Sequence, residues 1–275
     1  MTTPDQPSTP AVDRPHPRLR VETSGAVMTV TLDAPEKRNA QVPAMWAALA
    51  HIATTLPDQV RVVVLAGEGP AFSAGLDRGM LAPAGADAGV DGETGLLELT
   101  NDGPQALADR IAEYQRAFTA WQECPAYVIA AVQGPAIGAG FQLALAADLR
   151  IVTTDVRLAM AEVTLGLVPD LGGTAALTRL VGASRALELC LTGRPVGAEE
   201  AVATGIASLA VEPEELRATV GDLVEAVLAA PEQTAREMLG LFRGIESRTP
   251  DEQLRREREA QARLLCAHAE AARRR

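Results

Sequence analysis

Lysine is almost absent from this chain: Lys37 is the one lysine among 25 basic residues in a sequence of 275. No Gly-Lys-Ser/Thr run exists, so a phosphate loop of the Walker A type is excluded, and a Schiff-base lysine is disfavoured. Histidine and cysteine are scarce too, with three of each: His16, His51, His268, Cys124, Cys190 and Cys266. Scattered in this way they do not make an ordinary zinc site without several carboxylates, and no metal is expected. The cysteines are odd in number and lack CxxC spacing. That pattern reads as free thiols in a reducing compartment, and a cytoplasmic location is expected. Positive charge is in deficit, with 25 basic against 36 acidic residues for a net of −11. A chain of that sign is a poor binder of phosphate backbones, so nucleic acid is not expected as a partner.

Long uninterrupted apolar runs are also missing. Cys124 to Ala147 carries no charge, but Gln133, Gly134-Pro135, Gly138, Gly140 and Gln142 break it. A buried strand, a turn and a buried helix fit this stretch better than a membrane span, and no membrane association is expected. No secretory signal is expected at the opening of the chain. Residues 1–17 hold five prolines and no apolar segment, and are expected to be a disordered tail.

What is present is the composition of a globular chain, 47% hydrophobic and 22% charged, long enough for one large domain or two ordinary ones. Strand and helix signals alternate. Leu19–Thr23 and Val27–Leu32 read as a hairpin about Ser24-Gly25. Gln41–Thr55 is Ala-rich and helical, and Val60–Ala66 is a β-branched run suited to a strand buried on both faces. Residues 79–103 read as a mobile insertion. Leu107, Ile111, Tyr114, Phe118 and Trp121 recur at helical spacing. Tyr127–Val132 is a second buried strand, followed by a glycine loop and a small-residue helix to Ala147. Leu149–Val152 is a further strand. Beyond Thr174 helices dominate, at 214–229, 232–245 and 251–274. A βα-rich first two-thirds with a helical last third suggests one α/β core (residues 18–212) and a C-terminal helical region (residues 213–275).

Three segments have the residue types for chemistry. Gly69-Pro-Ala-Phe-Ser-Ala-Gly-Leu-Asp77 and Gly134-Pro-Ala-Ile-Gly-Ala-Gly-Phe-Gln142 each follow a buried strand. Glycine there allows a tight turn and close approach of a ligand to main-chain N–H groups. Two such loops could aim two N–H groups at one oxygen, as an oxyanion hole does. The plainer reading is that these glycines only permit tight turns and close packing. Leu143 stands where the dinucleotide fingerprint needs its third glycine. Ala71-Phe-Ser73-Ala-Gly75 narrowly misses the nucleophile elbow, and a hydrolase would need His268 from a charged C-terminal helix. The third segment, Ala161–Thr174, holds Glu162 and Asp170 among leucines. Desolvation there can raise a carboxylate toward the neutral range that a general base needs. The structural alternative is that Glu162 pairs and Asp170 caps the helix opening near Gly172.

Taken in order, these segments resemble the crotonase superfamily, the enoyl-CoA hydratase/isomerase family. The resemblance runs from about Leu19 to Val211. It is carried by Val30–Ala40 (with Pro35-Glu-Lys-Arg-Asn-Ala40), Val60–Asp77, Ala130–Asp148, Ala161–Gly182 and Leu191–Ala198. It implies a spiral of ββα units with a C-terminal helical trimerisation region, hence a homotrimer or dimer of trimers. It implies an acyl-CoA thioester substrate and no separate cofactor, coenzyme A arriving as part of the substrate. The family's oxyanion-hole donors map onto the backbone N–H groups of Leu76 and Ala139. Its CoA-side residues map near Lys37, Arg38, Ala40, Ala74 and Asp77.

The departures from the family narrow the activity. Hydratases of the family use two glutamates; the second matches Glu162, but the first falls on Gln142. A neutral amide can orient water or substrate but does not exchange a proton near neutral pH. Asp170, eight residues after Glu162, falls where the family's dienoyl-CoA and ring-opening isomerases carry a catalytic aspartate. The resemblance therefore favours double-bond isomerisation, with Asp170 as principal base and acid and Glu162 assisting. A hydratase using Glu162, and an acyl-CoA-binding protein without chemistry, are the alternatives. The family's usual C-terminal ending is absent. Arg255–Arg258 and Arg273–Arg275 stand there, expected to be solvated or paired with Glu257, Glu259 and Glu270.

Overall fold

The computed structural model describes residues 11–82 and 90–274. Its frame is a seven-stranded sheet, β1 (Ala11–His16), β2 (Leu19–Ser24), β3 (Val27–Leu32), β4 (Val62–Gly67), β5 (Tyr127–Val132), β7 (Leu149–Thr153) and β9 (Leu209–Val211), in that spatial order. A second, two-stranded sheet pairs β6 (Pro135–Ile137) with β8 (Arg157–Ala159). The β2–β3 hairpin is antiparallel, from Leu19 opposite Leu32 to Ser24 opposite Val27, and Gly25 supplies the positive φ of 56° at its tip. From β3 onward every pair is parallel. Their C-terminal ends therefore open on one edge, where ligands of open α/β sheets bind.

The expected disordered tail, residues 1–17, does not hold for its second part. Residues 1–10 lie outside the described residues, but 11–16 form β1 against β2. Pro15 is tolerated because β1 is the edge strand and its register shifts between Asp13 and His16. Likewise the expected insertion at 79–103 holds short 3-10 turns at Arg78–Leu81 and Glu98–Asp102, while 83–89 lie outside the described residues.

The helices are α1 (Pro43–Thr54), α2 (Pro104–Glu123), α3 (Ala139–Ala146), α4 (Gly173–Val181), α5 (Ala183–Thr192), α6 (Ala198–Ala203), α7 (Leu216–Ala229), α8 (Glu232–Phe242) and α9 (Pro250–Arg273). Period-two alternation sorts the buried strands onto two faces. Val63, Leu65, Val128, Ala130 and Val132 join the core with α1, α2 and α3. Val62, Val64, Ile129, Ala131 and Ile151 face Leu216, Val220 and Val224 of α7. The first C-terminal helix thus closes the sheet's second face, so the sheet core and the helical region share a boundary of packed side chains. Each valine so buried contributes roughly 1.5–3 kcal/mol. On α2 the predicted stripe faces inward: Phe118 and Trp121 are buried, and Trp46 of α1 meets Tyr114 at 5.2 Å and Phe118 at 5.9 Å between ring centroids. On α9 only Ala260 is buried, and Arg255 pairs with Glu259 at 2.8 Å, so that helix keeps its charges in solvent as its sequence predicts. Among the described residues no helix is long and apolar enough to cross a membrane, and the three cysteines are unpaired.

Candidate active site

The small second layer brings the three segments together. Ser73 bridges Ala136 of β6, and Ala136 pairs with Leu158 of β8. Three residues beyond Ser73 is Leu76, three beyond Ala136 is Ala139, and four beyond Leu158 is Glu162. Matched offsets from one register line set these groups side by side.

Glycine makes that approach possible. Gly75 has φ 84°, and a Cβ on it would stand 2.4 Å from the Ile137 carbonyl oxygen and 3.4 Å from the Ala139 nitrogen. Gly138 has φ 53°, and its Cβ would lie 3.3 Å from Oε1 of Glu162. Only a residue without Cβ holds both loops this close. Among the described residues, neither the Leu76 N–H nor the Ala139 N–H donates to a protein acceptor. Ala139 is also the first residue of α3, whose N-terminal partial charge favours an oxyanion there. Ser73 takes no part as a nucleophile. It is fully buried, and its Oγ donates to the Asn39 carbonyl at 2.8 Å while accepting from Gln41 Nε2 and the Gly75 N–H.

The carboxylates lie on the following irregular stretch. Glu162 and Asp170 are both half-buried. Burial pushes the Glu162 carboxyl above its ordinary range; its own backbone N–H and the Gln142 amide act against this, and the Asp170 charge adds to it. Burial likewise raises Asp170, opposed by its own backbone N–H. Oε2 of Glu162 is buried and has no hydrogen-bond partner among the described residues. Asp170 does not cap α4: the N-cap is Gly172, with no side-chain bond.

Gln142 is 2% exposed, and its amide is committed to the protein. Nε2 donates to Glu162 Oε1 at 2.8 Å, and Oε1 accepts from the N–H groups of Leu171 and Gly173, both at 3.0 Å. Both lone pairs of its oxygen are used by backbone, and one hydrogen of its amide nitrogen serves Glu162, which leaves one N–H for the expected role of orienting water or substrate.

The CoA-side set forms one turn laid against the first loop. Ala74 N–H donates to the Arg38 carbonyl at 2.8 Å, and Arg38 and Asn39 both take positive φ, 50° and 54°. Lys37 and Arg38 are exposed, with Lys37 Nζ 3.7 Å from Asp91. Asp77 stands in the same region, but its carboxylate is turned to Arg18 at 2.9 Å and to the Gly79 N–H at 3.1 Å. Arg18, 4% exposed, also holds the Ala40 carbonyl at 2.9 Å.

Three contributors escape sequence reading. Asn39 is 1% exposed and joins the turn to the loop through Glu68 O at 2.9 Å and Ala71 O at 2.7 Å. Arg18 anchors Ala40 and Asp77. Gln115 donates to the Asp170 carbonyl at 2.6 Å. Gln115 leaves a trace in the sequence, since it is a polar residue four places after Ile111 in the apolar stripe of α2.

A mainly parallel sheet with a small second layer that brings the three segments together is the architecture of the crotonase-type class. The family model described as Enoyl-CoA hydratase/isomerase matches residues 22–274, and the chain belongs to that family. A Rhodobacter capsulatus protein named Probable enoyl-CoA hydratase is 38% identical over 188 residues, 68% of this chain and 66% of that protein. The mitochondrial Delta(3,5)-Delta(2,4)-dienoyl-CoA isomerase of Mus musculus is 33% identical over 189 residues, 66% of this chain. The match spans only 54% of that isomerase's own length. Among solved structures, a Thermobifida fusca YX protein assigned as an enoyl-CoA hydratase, in complex with acetoacetyl-CoA, superposes with a TM-score of 0.85 at 44% identity. That superposition covers 91% of this chain and 95% of the other.

Proposed function

We propose that this protein isomerises the double bond of an enoyl-CoA thioester. The thioester carbonyl oxygen sits between the Leu76 and Ala139 N–H groups. Asp170 removes a proton from C2 of a 3-enoyl chain, and the electrons of that C–H bond move into the carbonyl. Charge grows on the oxygen as the dienolate forms, and each aimed N–H strengthens its bond to it. Returning the proton at C4 leaves the double bond between C2 and C3. One proton leaves and one returns, so no water and no further reagent is consumed.

The observation that carries this reading is the bonding of Gln142. Addition of water across a double bond with two carboxylates needs a second proton-exchanging group at that position, and an amide is not one. Asp170 and Glu162 are the pair that remains, and burial raises both toward a working base. The CoA moiety is expected along Lys37, Arg38, Ala40 and Ala74 from the family resemblance, and a CoA ester as ligand is in keeping with the acetoacetyl-CoA complex of the Thermobifida protein. The exposed leucines Leu187, Leu191 and Leu254 suit assembly into a trimer or a dimer of trimers.

Product analysis tests the reading. Purified protein is offered 2-enoyl-, 3-enoyl- and dienoyl-CoA esters, and the expected result is double-bond migration that is lost in Asp170→Asn. Rapid hydration of 2-enoyl-CoA with 3-enoyl-CoA left untouched overturns it. Hydration through Glu162 is the second reading, favoured by the unpartnered Glu162 Oε2 and by the names of the hydratase relatives. A sharp gain of hydration in Gln142→Glu would show that the natural amide was not chosen for it.

A further inference from the structure

Among the described residues, Gln142 is the side chain whose hydrogen bonds join Glu162 to the backbone that follows Asp170. Its Nε2 donates to Glu162 Oε1, and its Oε1 takes the N–H groups of Leu171 and Gly173, on either side of Gly172 where α4 opens. From the other side Gln115 of α2 holds the Asp170 carbonyl. The turn bearing Asp170 is therefore fixed by two amides through its backbone, leaving the Asp170 carboxylate itself outside the clamp. Among the described residues, no side chain or neighbouring backbone group donates to that carboxylate.

We infer that Gln142 is a positioning residue that gives the two carboxylates unequal roles. Its amide N–H holds the negative charge on Glu162, while its amide oxygen sets the turn that presents Asp170 with no donor to its carboxylate but its own backbone N–H. Asp170 is then the member with the higher proton affinity, the one that takes the substrate proton and returns it. Each charge disfavours ionisation of the other, and the amide donor, which Glu162 has and Asp170 lacks, decides which of the two holds the proton. A donated hydrogen bond stabilises the charged form of a carboxylate, and a second nearby charge disfavours ionisation of its partner. The other titratable group against this pair is the Cys190 thiol of α5, which burial and Glu162 both push up, so it stays neutral and does not compete for the proton. The close seat of Gly173 agrees with the inference. A Cβ there would stand 2.6 Å from Gln142 Cγ and 2.8 Å from its Oε1, so the helix opening is shaped around this amide.

The inference rests on Glu162 and Asp170 being the working pair, and its test does not depend on the reaction. Side-chain carboxyls of the full chain are titrated by carbon NMR, with Asp170→Asn and Glu162→Gln used to assign the signals. In the unchanged protein Glu162 is expected to titrate below Asp170. Gln142→Glu keeps an acceptor for Leu171 and Gly173, so the turn is retained, but it replaces the donor to Glu162 with a like charge. The Glu162 midpoint is then expected to rise by at least about one unit. Gln142→Leu is expected to raise it too, and if that variant fails to fold the glutamate variant decides alone. A Glu162 midpoint unmoved in Gln142→Glu, or Asp170 titrating below Glu162 in the unchanged protein, overturns the inference. Midpoints in the expected order without isomerised product would leave it standing and remove the isomerase reading. Isomerised product with the order reversed would do the opposite.

Discussion

Gly138→Ala separates what the proposed oxyanion hole contributes from what the fold contributes. Gly138 has φ 53° and ψ −121°, a conformation that an L side chain rarely adopts. Holding alanine there costs about 1–3 kcal/mol of backbone strain. For a chain of this size that is a fall in Tm of about 2–4 °C per kcal/mol. The added Cβ would sit 3.3 Å from Glu162 Oε1 and 3.6 Å from its Cδ, so Glu162 must give by a few tenths of an ångström. The peptide that rotates to relieve the strain is the one that carries the Ala139 N–H. Displacing one donor of a two-donor hole is expected to lower kcat by about 10²–10³. Affinity for an acyl-CoA that makes most of its contacts along Lys37–Ala40 should change little. Steady-state kinetics, calorimetric binding of a saturated acyl-CoA and thermal unfolding of the same sample give the three numbers. A kcat within about threefold of the unchanged protein, beside a clear loss of Tm, would mean that Ala139 N–H is not aimed at the reacting oxygen.

Two further outcomes follow from the same geometry. Gly173→Ala pushes Gln142 away from the Leu171 and Gly173 N–H groups. Each buried donor left without an acceptor costs about 1–3 kcal/mol, so the urea midpoint should fall clearly, and an unchanged midpoint would contradict the clamp. Asp170→Asn should abolish turnover yet stabilise the fold near neutral pH. Burial raises the Asp170 pKa in the folded state, so the native protein holds that proton more tightly than the unfolded chain does. The resulting penalty on the native state grows as pH rises from the unfolded value of about 3.9 through the raised folded value, and is complete above it. The variant's advantage in urea unfolding should accordingly be present at pH 7 and vanish below about pH 4; an equal advantage at both would show that charge is not its cause.

Much of the fold is written in local periodicity. The α2 stripe from Leu107 to Trp121 and the run of Val62 to Leu65 leave little choice of element, because each pattern buries its apolar residues in only one geometry. The short elements are not legible in this way. β6, β8 and β9 have three residues each, too few for alternation to register, and they exist because a neighbouring strand supplies their hydrogen bonds. β1 is hidden by Pro15, which excludes a central strand but not an edge.

The candidate site divides along the same line. Residue identity alone established that the chain has one lysine and three histidines, that the third segment carries Glu162 and Asp170, and that position 142 holds an amide where a two-glutamate site needs an acid. Those are matters of composition and order, which a sequence states in full. Tertiary structure alone decided where each group's hydrogen bonds go. It turned Asp77 to Arg18, released Asp170 from capping α4, and spent both ends of Gln142 on Glu162 and the 171–173 backbone. Partners 20 to 59 residues apart are chosen by how sheets and helices pack, and no local pattern encodes that choice.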